Sequence, residues 1–290
     1  MNKGTLYIVA TPIGNLGDIT LRAIETLKEA DYIACEDTRH TLKLLNSLGI
    51  KNKLISYFEH STQKRAEEII ALLEEGNSIA LVSDAGMPII SDPGEPLTRL
   101  CYERGISVTC VPGACAAVTA VALSGIGARR FTFEGFLPKD KAERKKQLEV
   151  LIRHQYTTIM YESPHAIKKT LMELSQLAPE RNAAVLKELT KLHEQVKRGT
   201  LLELYEEFSL IEEVKGEFVI VLEGCPQEVR ELTDEDIAEL LTGKLAEGML
   251  PKMAIKEIAQ EYDLPKNRVY SIYTEKLSMS FYSKRWSNTL

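Results

Sequence analysis

No apolar run in the sequence approaches the roughly 20 residues a helix needs to cross a bilayer. The opening Leu6-Tyr7-Ile8-Val9-Ala10 is only of strand length, and Asp18 and Arg22 follow it closely, which fits neither a signal peptide nor an anchor. Cysteine is scarce. Cys35, Cys101, Cys110, Cys115 and Cys225 form no C-x-x-C pair, so they read as free thiols of a reducing, cytoplasmic compartment. The histidines do not cluster with them, and no metal site is expected. No G-x-G-x-x-G opens a helix after the first strand, and no G-x-x-x-x-G-K-[ST] occurs, which excludes a dinucleotide fingerprint and a Walker-type phosphate loop. Excess positive charge is missing too: a net charge of −6 argues against a protein that coats nucleic acid indiscriminately.

An RNA partner would therefore need positive charge gathered locally, and two stretches gather it. Residues 129–153 hold eight Lys/Arg against four Asp/Glu, and residues 266–290 hold five against Glu275 alone. Both also suit plain solvated helix faces or a basic tail. Lys139, Lys141, Arg144, Lys145 and Lys146 are the candidate RNA contacts.

The first part of the chain alternates strand-like and helix-like periods. Thr5–Thr11, Tyr32–Cys35, Leu54–Tyr57, Ser78–Ser83 and Ser107–Val111 read as strands; Thr20–Ala30, Thr41–Leu48, Lys64–Glu75, Glu95–Arg104 and Ala114–Ser124 read as helices. This alternation predicts a parallel sheet covered on both faces, with a ligand beyond the carboxyl ends of its strands. After Gly125-Ile126-Gly127, strands at Phe131–Phe136, Thr157–Tyr161, Ala183–Glu188 and Phe218–Glu223 predict a second α/β lobe with a mixed sheet. Residues 234–277 predict three short helices, with Met253–Tyr262 and Lys266–Lys276 resembling a helix-turn-helix. The expected organisation is a first lobe over 1–115, a second over 116–226 and a helical appendage over 227–290.

Four strand ends are rich in glycine, proline and small polar residues: Thr11–Asp18, Glu36–Arg39, Ser83–Gly94 and Pro112–Ala117. Small residues admit a ligand to the main chain, and proline stiffens the loops beforehand. One such loop is a tight turn; four on one sheet edge suggest a ligand held by backbone groups.

These residues also carry a family resemblance. Thr11–Arg39, centred on Asp18-Ile19-Thr20-Leu21-Arg22-Ala23, resembles the first motif of the tetrapyrrole-methylase superfamily. Val82–Gly94, Val111–Ala117, Phe133–Pro138, Tyr161–His165 and Lys187–Lys191 are similar to the branch that methylates ribosomal RNA, departing from it at Met87, often threonine, and Ala166, often arginine. The resemblance implies S-adenosylmethionine held between the two lobes, a cytidine 2′-hydroxyl of 16S rRNA as acceptor, within the assembled small subunit, and a homodimer. Carried over by motif, the cofactor contacts are Pro12, Asp84, Ala85, Gly86, Ile89, Cys115, Ala116, Glu162, Ser163 and Leu186. The competing implications are a tetrapyrrole or protein acceptor, or an RNA-binding scaffold without chemistry.

A ribose hydroxyl is a weak acid, so a base or a nearby cation would assist its attack. Asp37 suits a base, although it equally suits the N-cap of a helix from Thr38 onward. Arg39 suits a phosphate clamp, and Lys187 or Lys191 suits a developing alkoxide. Asp84 suits a ribose hydroxyl or an ammonium, or else an Asx turn. Methyl transfer from a sulfonium is direct displacement, so Cys115 is not expected to act as a nucleophile. Glu59-His60 is a further polar pair at the same edge.

Overall fold

A computed structural model describes residues 3–58, 63–225, 232–262 and 264–277. Glu59, His60, Asp263 and the part of the basic tail beyond 277 lie outside the described residues. The chain divides into two compact units, before and after the 226/227 junction.

Two sheets build the first unit. The first contains β1 (Thr5–Val9), β2 (Tyr32–Cys35), β3 (Leu54–Ser56), β4 (Ile79–Val82) and β5 (Ser107–Val111), all parallel, in the order β3-β2-β4-β1-β5. Every residue of β4 is buried, as a central strand covered on both faces requires. Four helices supply that cover: α1 (Leu21–Glu29), α2 (Thr38–Ser47), α3 (Gln63–Glu74) and α4 (Glu95–Glu103). Leu27 and Leu45 of α1 and α2 pack with Ile33 on one face, while Ile69, Leu73 and Leu97 of α3 and α4 pack with Leu6 and Leu81 on the other. Thr20 caps α1, its hydroxyl accepting the Ala23 N–H. From β1 the chain crosses one way to β2, and from β4 it crosses the other way to β5. The switch therefore lies between β1 and β4, where parallel sheets hold ligands beyond the strand ends.

The second sheet contains β6 (Phe131–Phe136), β7 (Thr157–Glu162), β8 (Asn182–Lys187), β9 (Gln195–Thr200) and β10 (Phe218–Leu222), in the order β6-β7-β10-β8-β9. Only β6 and β7 pair in parallel, so the sheet is mixed, as the changed register predicts. Helix α5 (Ala116–Ser124) covers one face over Ile159, Ala184, Leu186, Val219 and Val221. On the other face lie α6 (Lys141–Leu151), α7 (Ile167–Leu177) and α8 (Leu201–Ser209). Edge strand β9 was not anticipated: Gln195-Val196-Lys197-Arg198-Gly199-Thr200 has neither an apolar run nor a buried face, and its pairing with β8 alone makes it a strand.

The second unit packs α9 (Asp234–Ala246), α10 (Pro251–Glu261) and α11 (Lys266–Ile272) around Ile237, Leu241, Ala254, Ile258, Val269 and Ile272. Among the described residues no helix is long and apolar enough to cross a membrane.

Candidate active site

At the switch point the loops after β1 and β4 are tied together. The Thr11 N–H donates to the Gly86 carbonyl at 2.9 Å and the Gly86 N–H to the Thr11 carbonyl at 3.1 Å. Asp84 Oδ1 accepts the Asp37 N–H at 3.3 Å, drawing in the loop after β2 rather than closing its own turn. The loop from Ser83 to Gly94 is strained. Ile89 and Ser91 have φ of 77° and 63°, a left-handed conformation rare for non-glycine residues and especially for a β-branched one. Gly94 closes the loop at φ 140°, where an added Cβ would lie 2.7 Å from Ile89 Cγ1 and 2.9 Å from Leu81 Cδ2. Strained residues of this kind persist where the surroundings over-determine them, as they do at functional sites.

Beside this loop and the start of α5 is a cavity of about 370 Å³, closed on its far side by the second sheet. Asp84, Ala85, Gly86, Cys115 and Ala116 line it from one lobe, and Glu162 and Ser163 from the other. Seven of the ten residues carried over by motif thus share one cavity. Pro12 lines an adjoining hollow of about 330 Å³, and Ile89 lines a larger groove of about 920 Å³. Leu186 is fully buried in the layer beneath α5.

Tyr161 organises the junction of the lobes. Its Oη accepts the Ala117 N–H at 3.2 Å, and its ring meets Phe133 and Phe136 edge-on at 4.9 and 5.5 Å. Burial pushes the phenol up to about 12, so it stays neutral. Glu162 presents main chain to the cavity while its side chain turns away. Oε1 accepts the Ser163 N–H at 2.8 Å, and Oε2 accepts from Thr170 Oγ1 of α7 at 2.5 Å.

Arg144 belongs to that buried network, which corrects its reading as an RNA contact. It is 6% exposed, its Nε donates to Glu173 at 2.8 Å, and its Nη2 donates to Thr170 at 2.7 Å. A guanidinium so enclosed does not meet solvent phosphate. Lys139, Lys141, Lys145 and Lys146 are exposed as expected.

The reading of Asp37 as a base also meets a physical obstacle. Its carboxylate caps α2, accepting the Arg39 N–H at 2.8 Å, and pairs with the Arg39 side chain at 2.8 Å. The Arg39 hydrogen bonds hold it down at about 2, leaving it a poor proton acceptor at neutral pH. Lys187 shares the parity of Ala183 and Val185, which face α7 and α8, so strand alternation carries it away from the α5 face and the cavity. Lys191 is drawn into ion pairs with Glu188 and Glu217 at 2.9 and 2.8 Å.

One carboxyl was not singled out from the sequence. Asp92 lines both the cavity and the larger groove. Burial, reinforced by the like charges of Glu36 and Asp84, pushes it up to about 7. Its place in the Ser83–Gly94 loop was visible in the sequence; the burial that distinguishes it was not.

Residues 5–205 match the family model described as Tetrapyrrole (Corrin/Porphyrin) Methylases. The chain is 46% identical to the Ribosomal RNA small subunit methyltransferase I of Halalkalibacterium halodurans, over 95% of this chain and 96% of that protein. It is 44% identical to the protein of the same name from Bacillus subtilis, over 94% of each. Among solved structures, the methyltransferase CobJ superposes with a TM-score of 0.59 at 17% identity, covering 77% of this chain and 95% of that one. Uroporphyrin-III C-methyltransferase from Thermus thermophilus, complexed with S-adenyl homocysteine, superposes with a TM-score of 0.52 at 17% identity, covering 75% of this chain and 96% of that one. At such identities the structural likeness speaks to the fold.

Proposed function

The chain belongs to the tetrapyrrole (corrin/porphyrin) methylases, and from that premise we propose that it methylates the 2′-hydroxyl of a cytidine in 16S rRNA, using S-adenosylmethionine. What carries the reading is a single coincidence: a backbone-lined cavity at the switch of a parallel sheet, in a chain matching rRNA methyltransferases over nearly its whole length.

The residues fit the cofactor. A cavity of about 370 Å³ falls within the roughly 300–1,000 Å³ of small-molecule sites. When bound, S-adenosylmethionine supplies an electrophilic methyl group on a positively charged sulfur. Gly86, at φ 81° and without a side chain, exposes main chain to it, and Ala85, Cys115 and Ala116 keep the wall low. Asp84 provides negative charge toward a cationic ligand, and the Glu162–Ser163 main chain forms the facing wall. Pro12 and Ile89 shape the flanks, and Leu186 supports the site from beneath. Enclosure and orientation can together supply roughly 7–11 kcal/mol of barrier reduction.

RNA phosphates meet the exposed Lys139, Lys141, Lys145 and Lys146, and Arg39, whose side chain is 87% exposed, adds another cation. The work is done in the cytoplasm on assembled small subunits. A homodimer forms through α5 and edge strand β5: α5 is apolar all round, yet Val118 and Leu123 remain 56% and 37% exposed, and Cys110 of β5 faces solvent. Mapping 2′-O-methyl groups in small-subunit rRNA from cells with and without the gene tests the proposal. One cytidine should lose its methyl group when the gene is absent; an unchanged map would contradict it.

A further inference from the structure

We propose that the hollow beside α2 seats the RNA backbone at the acceptor nucleotide, with His40 and Lys43 as its phosphate contacts. The inference rests on the ribose-methylation reading above. Two openings flank the cofactor cavity, the 330 Å³ hollow and the 920 Å³ groove. The hollow shares Ile13, Asp84, Ala85 and Glu217 with the cavity, and the groove shares Ser91, Asp92 and Phe136 with it. An acceptor strand could approach from either side, and charge decides between them. Glu36, Asp92, Glu95, Glu103 and Glu134 line the groove against Arg99, which is itself paired with Glu95 at 3.5 Å. Such a wall repels a polyanion. The hollow has only Asp84 and Glu217, and both are engaged: Asp84 accepts the Asp37 N–H, and Glu217 pairs with Lys191. The side chains of His40 and Lys43 line the same hollow, are exposed, and have no partner among the described residues.

The fold sets these cations at a fixed place. Helix α2 buries Thr41 and Leu45, and its 3.6-residue period leaves His40, Lys43, Leu44 and Ser47 as one stripe along the hollow. The bond from the Asp37 N–H to Asp84 ties the start of the helix to the cofactor loop. His40 and Lys43 therefore stand about 4.5 and 9 Å along the axis from that tie. Another wall is equally fixed. Lys191 packs so closely over Gly14 that an added Cβ would lie 2.4 Å from Lys191 Cγ, while Glu188 and Glu217 hold its ammonium. Leu16, 52% exposed, gives the hollow an apolar surface. Free cationic and apolar groups side by side suit a nucleotide. The Lys43 ammonium and an imidazole N–H of His40 donate to phosphate oxygens, which fixes the register of the strand. The sugar rests against Leu16, with its hydroxyl turned toward the shared wall and the cofactor.

The test compares the wild-type protein with Lys43→Ala, His40→Ala, the double variant and Lys43→Arg. It measures S-adenosylmethionine binding by calorimetry, and single-turnover methyl transfer against small-subunit concentration at several salt concentrations. Lys43→Ala should raise the half-saturating subunit concentration by about 10–100-fold, as loss of a hydrogen bond to a charged group does. Its salt dependence should fall by about one counterion. Cofactor affinity and the rate at saturating subunit should hold, and Lys43→Arg should keep the wild-type salt dependence. An unchanged half-saturation in the double variant would overturn the assignment. So would lost cofactor binding, which would make these residues cofactor contacts, or a His40→Ala defect confined to the saturated rate, which would move His40 into the chemistry. A photocrosslinker separates the two openings: p-benzoylphenylalanine at position 47 should label rRNA beside the methylated cytidine, and at position 103, in the groove, should not. The reverse pattern would place the strand in the groove. Failure of the functional reading is distinguishable, because the wild-type protein itself would then transfer no methyl group to small subunits.

Discussion

Arg144 and Lys145 are neighbours in the chain with opposite fates, because the helix turns one inward and the other outward. Removing the Arg144 side chain leaves Glu162 and Glu173 without the cation they share. Arg144→Ala should therefore destabilise the protein by about 3–5 kcal/mol, the usual cost of breaking a buried pair, as read by urea unfolding. Lys145→Ala should change stability by less than about 0.5 kcal/mol. Asp37 and Asp92 form a second contrasting pair. Arg39 holds Asp37 at about 2, so its contribution is present above the ordinary aspartate range and lost as pH falls through about 2. Asp92 is raised to about 7, so its contribution is full below the ordinary range and lost as pH rises through about 7. Asp92→Asn should accordingly melt higher than the wild-type protein at alkaline pH, with the gap closing toward pH 4. Thermal melts across that window check the sign. The cap made by Asp37 was one of the two roles its sequence position suits; the burial of Arg144 and Asp92 was not legible, because it is made by residues distant along the chain.

Elements were legible wherever local chemistry and tertiary context agreed. Helix α1 has Thr20 before a 3.6-residue apolar period, and strand β4 is a continuous apolar run between polar loops; both stand where periodicity predicts them. Helix α2 begins at Thr38 rather than Thr41, because Asp37 supplies the cap ahead of the first apolar residue. Strand β9 carries no apolar signal and exists through its partner, but its end is well marked. Thr200 and Glu203 form a capping box that starts α8. Thr200→Ala should cost about 0.5–2 kcal/mol, measurable by chemical denaturation. Helix α5 shows the converse case, with more apolar surface than the fold buries. Val118→Lys with Leu123→Lys should convert a dimer to monomers in light scattering while leaving the fold intact; unchanged mass would place the interface elsewhere.

At the scale of the molecule, an acidic protein can hold RNA only where its charge is uneven. Replacing Lys139, Lys141, Lys145 and Lys146 with alanine should weaken small-subunit binding and flatten its dependence on salt, by about one counterion for each phosphate no longer neutralised. The position of the site was legible as a place, the edge of a parallel sheet where four small-residue loops gather. Its depth was not, because the wall that closes it comes from β7, β10 and the loop after β8, brought there by packing of the second sheet under α5. The most direct test of the account is a crystal structure with S-adenosylmethionine. Density against Asp84–Gly86, Cys115–Ala116 and Ser163 is the predicted result, and density elsewhere, or an empty cavity at saturating ligand, would contradict it.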